Sequence, residues 1–145
     1  MDSKELVNLY LDISDGLLSK LSLNNSKEGN FDKYLFVLAL EQSLDSLAVS
    51  IASSSEFENP KFSSYDYINK WRELSIDHPA KNIIKKEFSS DGIFNMLILI
   101  KKAIHEPINE SIIVSNETLS LKKFNLLLDR YKEFIIMLRK TLEEC

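Results

Sequence analysis

Two histidines are the side chains of this 145-residue chain best suited to gain and lose a proton near neutral pH, and both stand close to cations. His105 follows Lys101 and Lys102. Lys101 lies one turn back, at i−4, so a helix puts the two side chains on one face. A histidine beside lysines can move a proton at a phosphodiester while the cations hold the phosphate. The same position also reads as a plain helix end, where a positive histidine complements the dipole. His78 follows Arg72 with five residues between them. Arginine grips phosphate through two parallel hydrogen bonds, so an Arg and His pair suits RNA. Asp77-His78-Pro79 equally reads as a helix start, a capping residue followed by proline in the first turn. The catalytic candidates are therefore His105, Lys101, Lys102, Arg72 and His78, each with a structural alternative.

Other chemistries find no footing. The sequence holds no GxxxxGK[ST], GxGxxG, CxxC or HExxH pattern, and its 3 glycines leave no glycine-rich phosphate cradle. One cysteine and two histidines do not make a structural zinc site, so neither metal nor cofactor is expected. The cysteine is Cys145, the last residue, read as a frayed terminal thiol. A single thiol forms no internal disulfide, and nothing points to an oxidising compartment.

The elements that must position these residues read as helices. Gly 3 and Pro 3 are too few for the many tight turns of a β-rich fold. Asp2 and Glu5 form a capping box for a helix over residues 3–22, with Leu6, Tyr10, Ile13, Leu17 and Leu21 on one face. Gly16 lies within it and marks a place for a close helix contact. Residues 24–30, ending in Gly29-Asn30, read as a turn. A second helix follows over 31–53, with Val37, Leu40, Leu44, Leu47 and Ile51 as its stripe and Asp32, Glu41 and Asp45 off it. A shorter helix is expected over 65–75, and another beginning at Pro79 with Ile83, Ile84 and Phe88 on one side. Ser89-Ser90-Asp91 reads as the cap of a helix over 92–104, apolar on nearly every side and so central in a bundle; a buried strand is the alternative for so short an apolar run, and the cap and the helical neighbours favour the helix. Glu106-Pro107 ends it. Residues 106–119 read as irregular, with Ile112-Ile113-Val114 extended.

The last helix, 120–143, carries Leu121, Phe124, Leu128, Tyr131, Ile135, Leu138 and Leu142 at alternating steps of three and four. Such a seam fits a neighbour packed at a shallow angle. Leu127, Phe134 and Met137 widen the face, which implies contact with more than one helix or a dimer interface. The fold class is all-α: an up-and-down antiparallel bundle of five to six helices in one domain, residues 1–145.

Charge bounds the partners. The net charge of −4 argues against strong nonspecific binding to nucleic acid. Residues 1–60 hold 4 basic and 10 acidic side chains, and residues 61–145 hold 14 and 12, so any polyanion belongs with the later segment. The charged start, Met1-Asp2-Ser3-Lys4-Glu5, lacks a secretory core. The longest apolar run, Ile93 to Ile100, falls short of the ~20 residues of a membrane span. A cytoplasmic location and no membrane contact are expected.

From about Asn69 to Leu142 the chain resembles the HEPN superfamily, small helical-bundle proteins of bacterial defence and toxin–antitoxin systems. Three features carry the resemblance: Asn69-Lys70-Trp71-Arg72-Glu73-Leu74, the apolar helix ending Leu99-Ile100-Lys101-Lys102-Ala103-Ile104-His105, and the long amphipathic helix after it. Active members place Arg, four to six residues, then His, in a dimer whose motifs converge, and cleave RNA without metal. Here Ile98, Leu99 and Ile100 occupy the positions for that arginine, and Lys101 lies where a polar residue often follows it. Arg72 and His78 meet the spacing on a different helix. The resemblance with its arginine missing implies a noncatalytic member acting through a homodimer or a partner protein. A metal-independent endoribonuclease binding RNA is the alternative, and an unrelated helical phage or immunity protein acting by protein binding is the third.

Overall fold

In the computed structural model, which describes residues 1–21, 27–55, 57–105 and 120–143, the bundle begins as the capping signal requires. Glu5 N–H donates to Asp2 Oδ1 at 2.8 Å and Asp2 N–H to Glu5 Oε2 at 3.1 Å. These bonds satisfy donors that the first turn of α1, Ser3–Lys20, cannot pair internally. The face that α1 buries is wider than the expected stripe, with Val7 and Ser14 buried beside it. Leu17 and Leu21 of the stripe pack on the core together with Leu11 and Leu18, whereas Ile13 stays 41% exposed. Ser14 tolerates burial because its hydroxyl donates to the Tyr10 carbonyl at 2.8 Å.

The second helix, α2, spans Lys27–Ser54. It starts earlier than expected: residues 27–30 are helical and form no turn, since one glycine costs a helix only about 1 kcal/mol against the continuing backbone hydrogen bonds. Residues 22–26 lie outside the described set. Val37, Leu40, Leu44, Leu47 and Ile51 are buried as the stripe requires. So are Phe36, Ala39, Ser43 and Ala48, which makes α2 the central rod of the bundle. Its segment Phe31–Ser54 is long and apolar enough to cross a membrane by length and composition, which the reading of short apolar runs overlooked. In the structure 67% of that window is buried against the other helices, as a core helix requires.

A 3-10 turn at Phe62–Ser64 leads to α3, Tyr67–Asp77, whose N-cap Asp66 accepts from Asn69 N–H at 2.8 Å. His78 ends α3, and Asp77 belongs to α3 rather than capping the next helix. The short α4, Lys81–Lys86, buries Ile84. Helix α5, Ile93–His105, starts where Gly92 crosses the backbone of Glu87 so closely that a Cβ would sit 2.0 Å from the Glu87 carbonyl oxygen. Helix α6, Leu121–Glu143, buries Phe124, Leu128, Tyr131, Ile135 and Leu138 of the expected seam. Its Leu127 and Phe134 are also buried within the chain, so the widened face serves more than one neighbouring helix, and Met137 is 46% exposed. The described residues thus form six α-helices and no strand.

Two groups tie the helices together. Trp71, fully buried, donates its indole N–H to the Leu44 carbonyl at 3.0 Å and lies 5.2 Å from the Phe134 ring and 5.9 Å from the Phe94 ring. One side chain therefore joins α3 to α2, α5 and α6. Ser43 donates to the Val7 carbonyl at 3.1 Å, so the hydroxyl of Tyr131, 2.6 Å away, must be the donor to Ser43. That relay links α6, α2 and α1 through otherwise apolar surroundings.

Candidate functional site

Three of the five candidate residues meet at one place. Lys101, Lys102 and His105, at the end of α5, line an open cleft of about 500 Å³ with Ile98, Glu41 of α2, and Asp66, Tyr67 and Ile68 at the start of α3. The α5 spacing produces this: Ile93, Phe94, Leu97 and Ile100 face the core, which turns Ile98, Lys102 and His105 outward. The His105 ring is exposed and rests edge-on against Tyr34, with centroids 5.2 Å apart.

The floor of the cleft is an ion pair. Lys101 Nζ lies 3.3 Å and 3.4 Å from the two carboxylate oxygens of Glu41. The Glu41 side chain is only 10% exposed and that of Lys101 is 40%. Burial, followed by the charge of the adjacent Glu41 carboxylate, pushes the Tyr67 phenol far above its ordinary pKa. Tyr67 therefore keeps its proton and is not a base. One helical turn along α2, Asp45 pairs with Lys70, so two carboxylates of the central helix are each matched by a lysine from a neighbour. A buried charge needs such a partner.

The other two candidates lie elsewhere and apart from each other. Arg72 is exposed on α3 with its guanidinium 4.8 Å above the Phe88 ring, which stacks on Phe94 at 4.4 Å. His78 is buried. Its Nδ1 accepts from Ala80 N–H at 3.0 Å, so Nε2 carries the proton and donates to Ser55 Oγ at 2.8 Å. Burial lowers its pKa and keeps it neutral. These contacts give His78 a structural task at the α3–α4 junction.

Among the described residues no three His, Cys, Asp or Glu side chains gather as metal ligands. Cys145 and residues 106–119, including Ile112 to Val114, lie outside the described residues. Sequence reasoning missed Glu41 and Tyr67. A signal for Glu41 was present: two carboxylates four residues apart, Glu41 and Asp45, in a helix apolar on most sides require cationic partners from other elements.

No family model, curated protein or solved structure matches this chain.

Proposed function

We propose that this chain is a noncatalytic, HEPN-like helical interaction protein of bacterial defence or toxin–antitoxin regulation. It works by binding a second copy of itself or a partner protein through the outer face of α5. The observation that carries this reading is the pairing of Lys101 with Glu41. The cation best placed to hold a phosphate beside His105 is already neutralised by a nearly buried carboxylate, so a phosphodiester entering the cleft meets Glu41 as well. The positions for the missing arginine supply apolar surface instead: Ile98 is 44% and Leu99 50% exposed. Large apolar side chains beside a polar-rimmed cleft are ordinary material for a protein contact.

The exposed imidazole of His105 favours the second reading, a metal-independent ribonuclease. Sedimentation velocity over a concentration series, run beside an RNA incubation in EDTA, separates the two. The interaction reading predicts self-association, or a stoichiometric complex with a defined partner, weakened by Ile98→Glu with Leu99→Glu, and no cleavage. Cleavage lost in His105→Ala contradicts it.

A further inference from the structure

A second cleft, of about 410 Å³, opens at the other end of the bundle, where the first half of α1 and the C-terminal ends of α2 and α6 meet. Its floor is apolar: Val7, Leu47, Ile51 and Leu138 are all buried core residues. Two features set it apart from an ordinary packing defect. Ser50, 8% exposed, lines it with a hydroxyl that bonds to no described residue and stays open to water from the cleft. Lys4 and Arg139 stand on its rim, and neither is in an ion pair with a described residue. Glu143 is the one carboxylate among the lining residues, so two cations against one anion leave the rim with a charge of +1.

We infer that this cleft binds a small amphipathic anion, an apolar body of about ten carbons ending in a carboxylate. The volume lies within the roughly 300–1,000 Å³ of small-molecule sites, which pair apolar walls with a few placed polar groups. The apolar body lies against half-buried Leu142 and the little surface that Leu47 and Ile51, each 4% exposed, leave open. The carboxylate takes the Lys4 ammonium and the Arg139 guanidinium, the latter suited to a bidentate grip. The Ser50 hydroxyl is available as a further donor. Glu143 opposes the ligand from the rim. This site is separate from the α5 cleft and does not depend on the function proposed for it.

The test is competition of decanoate against the fluorescent anion 8-anilinonaphthalene-1-sulfonate, with decylamine as the control of opposite charge. The expected result is saturable one-site displacement by decanoate and none by decylamine. Lys4→Ala with Arg139→Ala, both at the surface, weakens decanoate at least tenfold, and Glu143→Gln tightens it. Ser50→Leu, which fills the floor, abolishes binding while circular dichroism reports an intact fold. Equal displacement by decylamine, no displacement at millimolar decanoate, or an unchanged affinity in the Lys4, Arg139 double variant overturns the inference.

Discussion

Lys101 Nζ sits within 3.4 Å of both carboxylate oxygens of Glu41, a residue 60 positions earlier in the chain. The pair fixes the end of α5 against the central helix, and the two partners differ in their dependence on it. Lys101 is 40% exposed and can turn to water, whereas Glu41 is 10% exposed and cannot. Lys101→Ala should therefore destabilise more than Glu41→Gln, by about 1–3 kcal/mol against about 1. Urea denaturation of the two variants checks the order, and the reverse order contradicts this description of the cleft.

The Tyr131–Ser43–Val7 relay predicts a similar asymmetry. Tyr131→Phe leaves Ser43 bonded to the Val7 carbonyl and should cost about 1 kcal/mol. Ser43→Ala strands a fully buried Tyr131 hydroxyl and should cost about 1–3 kcal/mol despite removing the smaller group. Thermal unfolding of both, with the double variant closing the cycle, measures their coupling.

Two glycines should respond in opposite directions to alanine. A Cβ at Gly16 meets nothing within 4 Å, so the expectation of a close helix contact there is not met. Gly16→Ala should stabilise α1 by about 0.5–1 kcal/mol. At Gly92 the Cβ would meet the Glu87 carbonyl oxygen at 2.0 Å, and the backbone must shift. Gly92→Ala should destabilise by about 1–3 kcal/mol or more. Denaturant midpoints at matched slopes decide both signs.

His78 and Glu87 give the fold opposing pH dependences. Burial lowers the His78 pKa, so the unfolded chain binds its proton more readily than the folded one. Its contribution is complete above the unfolded value of about 6.5 and is lost as pH falls below it toward the lowered folded value. Burial raises Glu87, against the smaller opposing effects of Arg130 and the Ile93 N–H, and its Oε2 has no hydrogen-bond partner among the described residues. For Glu87 the penalty therefore applies above its raised folded pKa and fades on acidification. Urea midpoints between pH 7.5 and 5.5 should fall in the wild type and fall less in His78→Gln. Glu87→Gln should stabilise the fold at pH 7.5, where its charge is otherwise buried.

Periodicity made the rods legible, and the reasons it failed elsewhere are local. The seam of α6 from Phe124 to Leu138 and the stripe of α2 from Val37 to Ile51 are buried as their spacing requires, because long apolar faces outweigh any single residue. In α1 an apolar stripe leaves out Ser14, which is buried because its hydroxyl, satisfied by its own helix, is as welcome in the interior as a small apolar residue. Asp77-His78-Pro79 has the spelling of a helix start, yet His78 ends α3 and its ring donates to Ser55, 23 residues earlier, a tertiary bond that no local pattern reveals. At the α5 cleft, His105, Lys101 and Lys102 were found together because they share one helix. Glu41 and Tyr67 come from distant segments, and only packing brings them there.

The most direct test of the functional account is an RNA incubation in EDTA with wild type, His105→Ala and His78→Ala at matched concentration. With Lys101 held by Glu41 and His78 buried, all three should leave the RNA intact to the same degree as buffer. Metal-independent cleavage by the wild type that disappears in His105→Ala contradicts the account and makes the α5 cleft an active site.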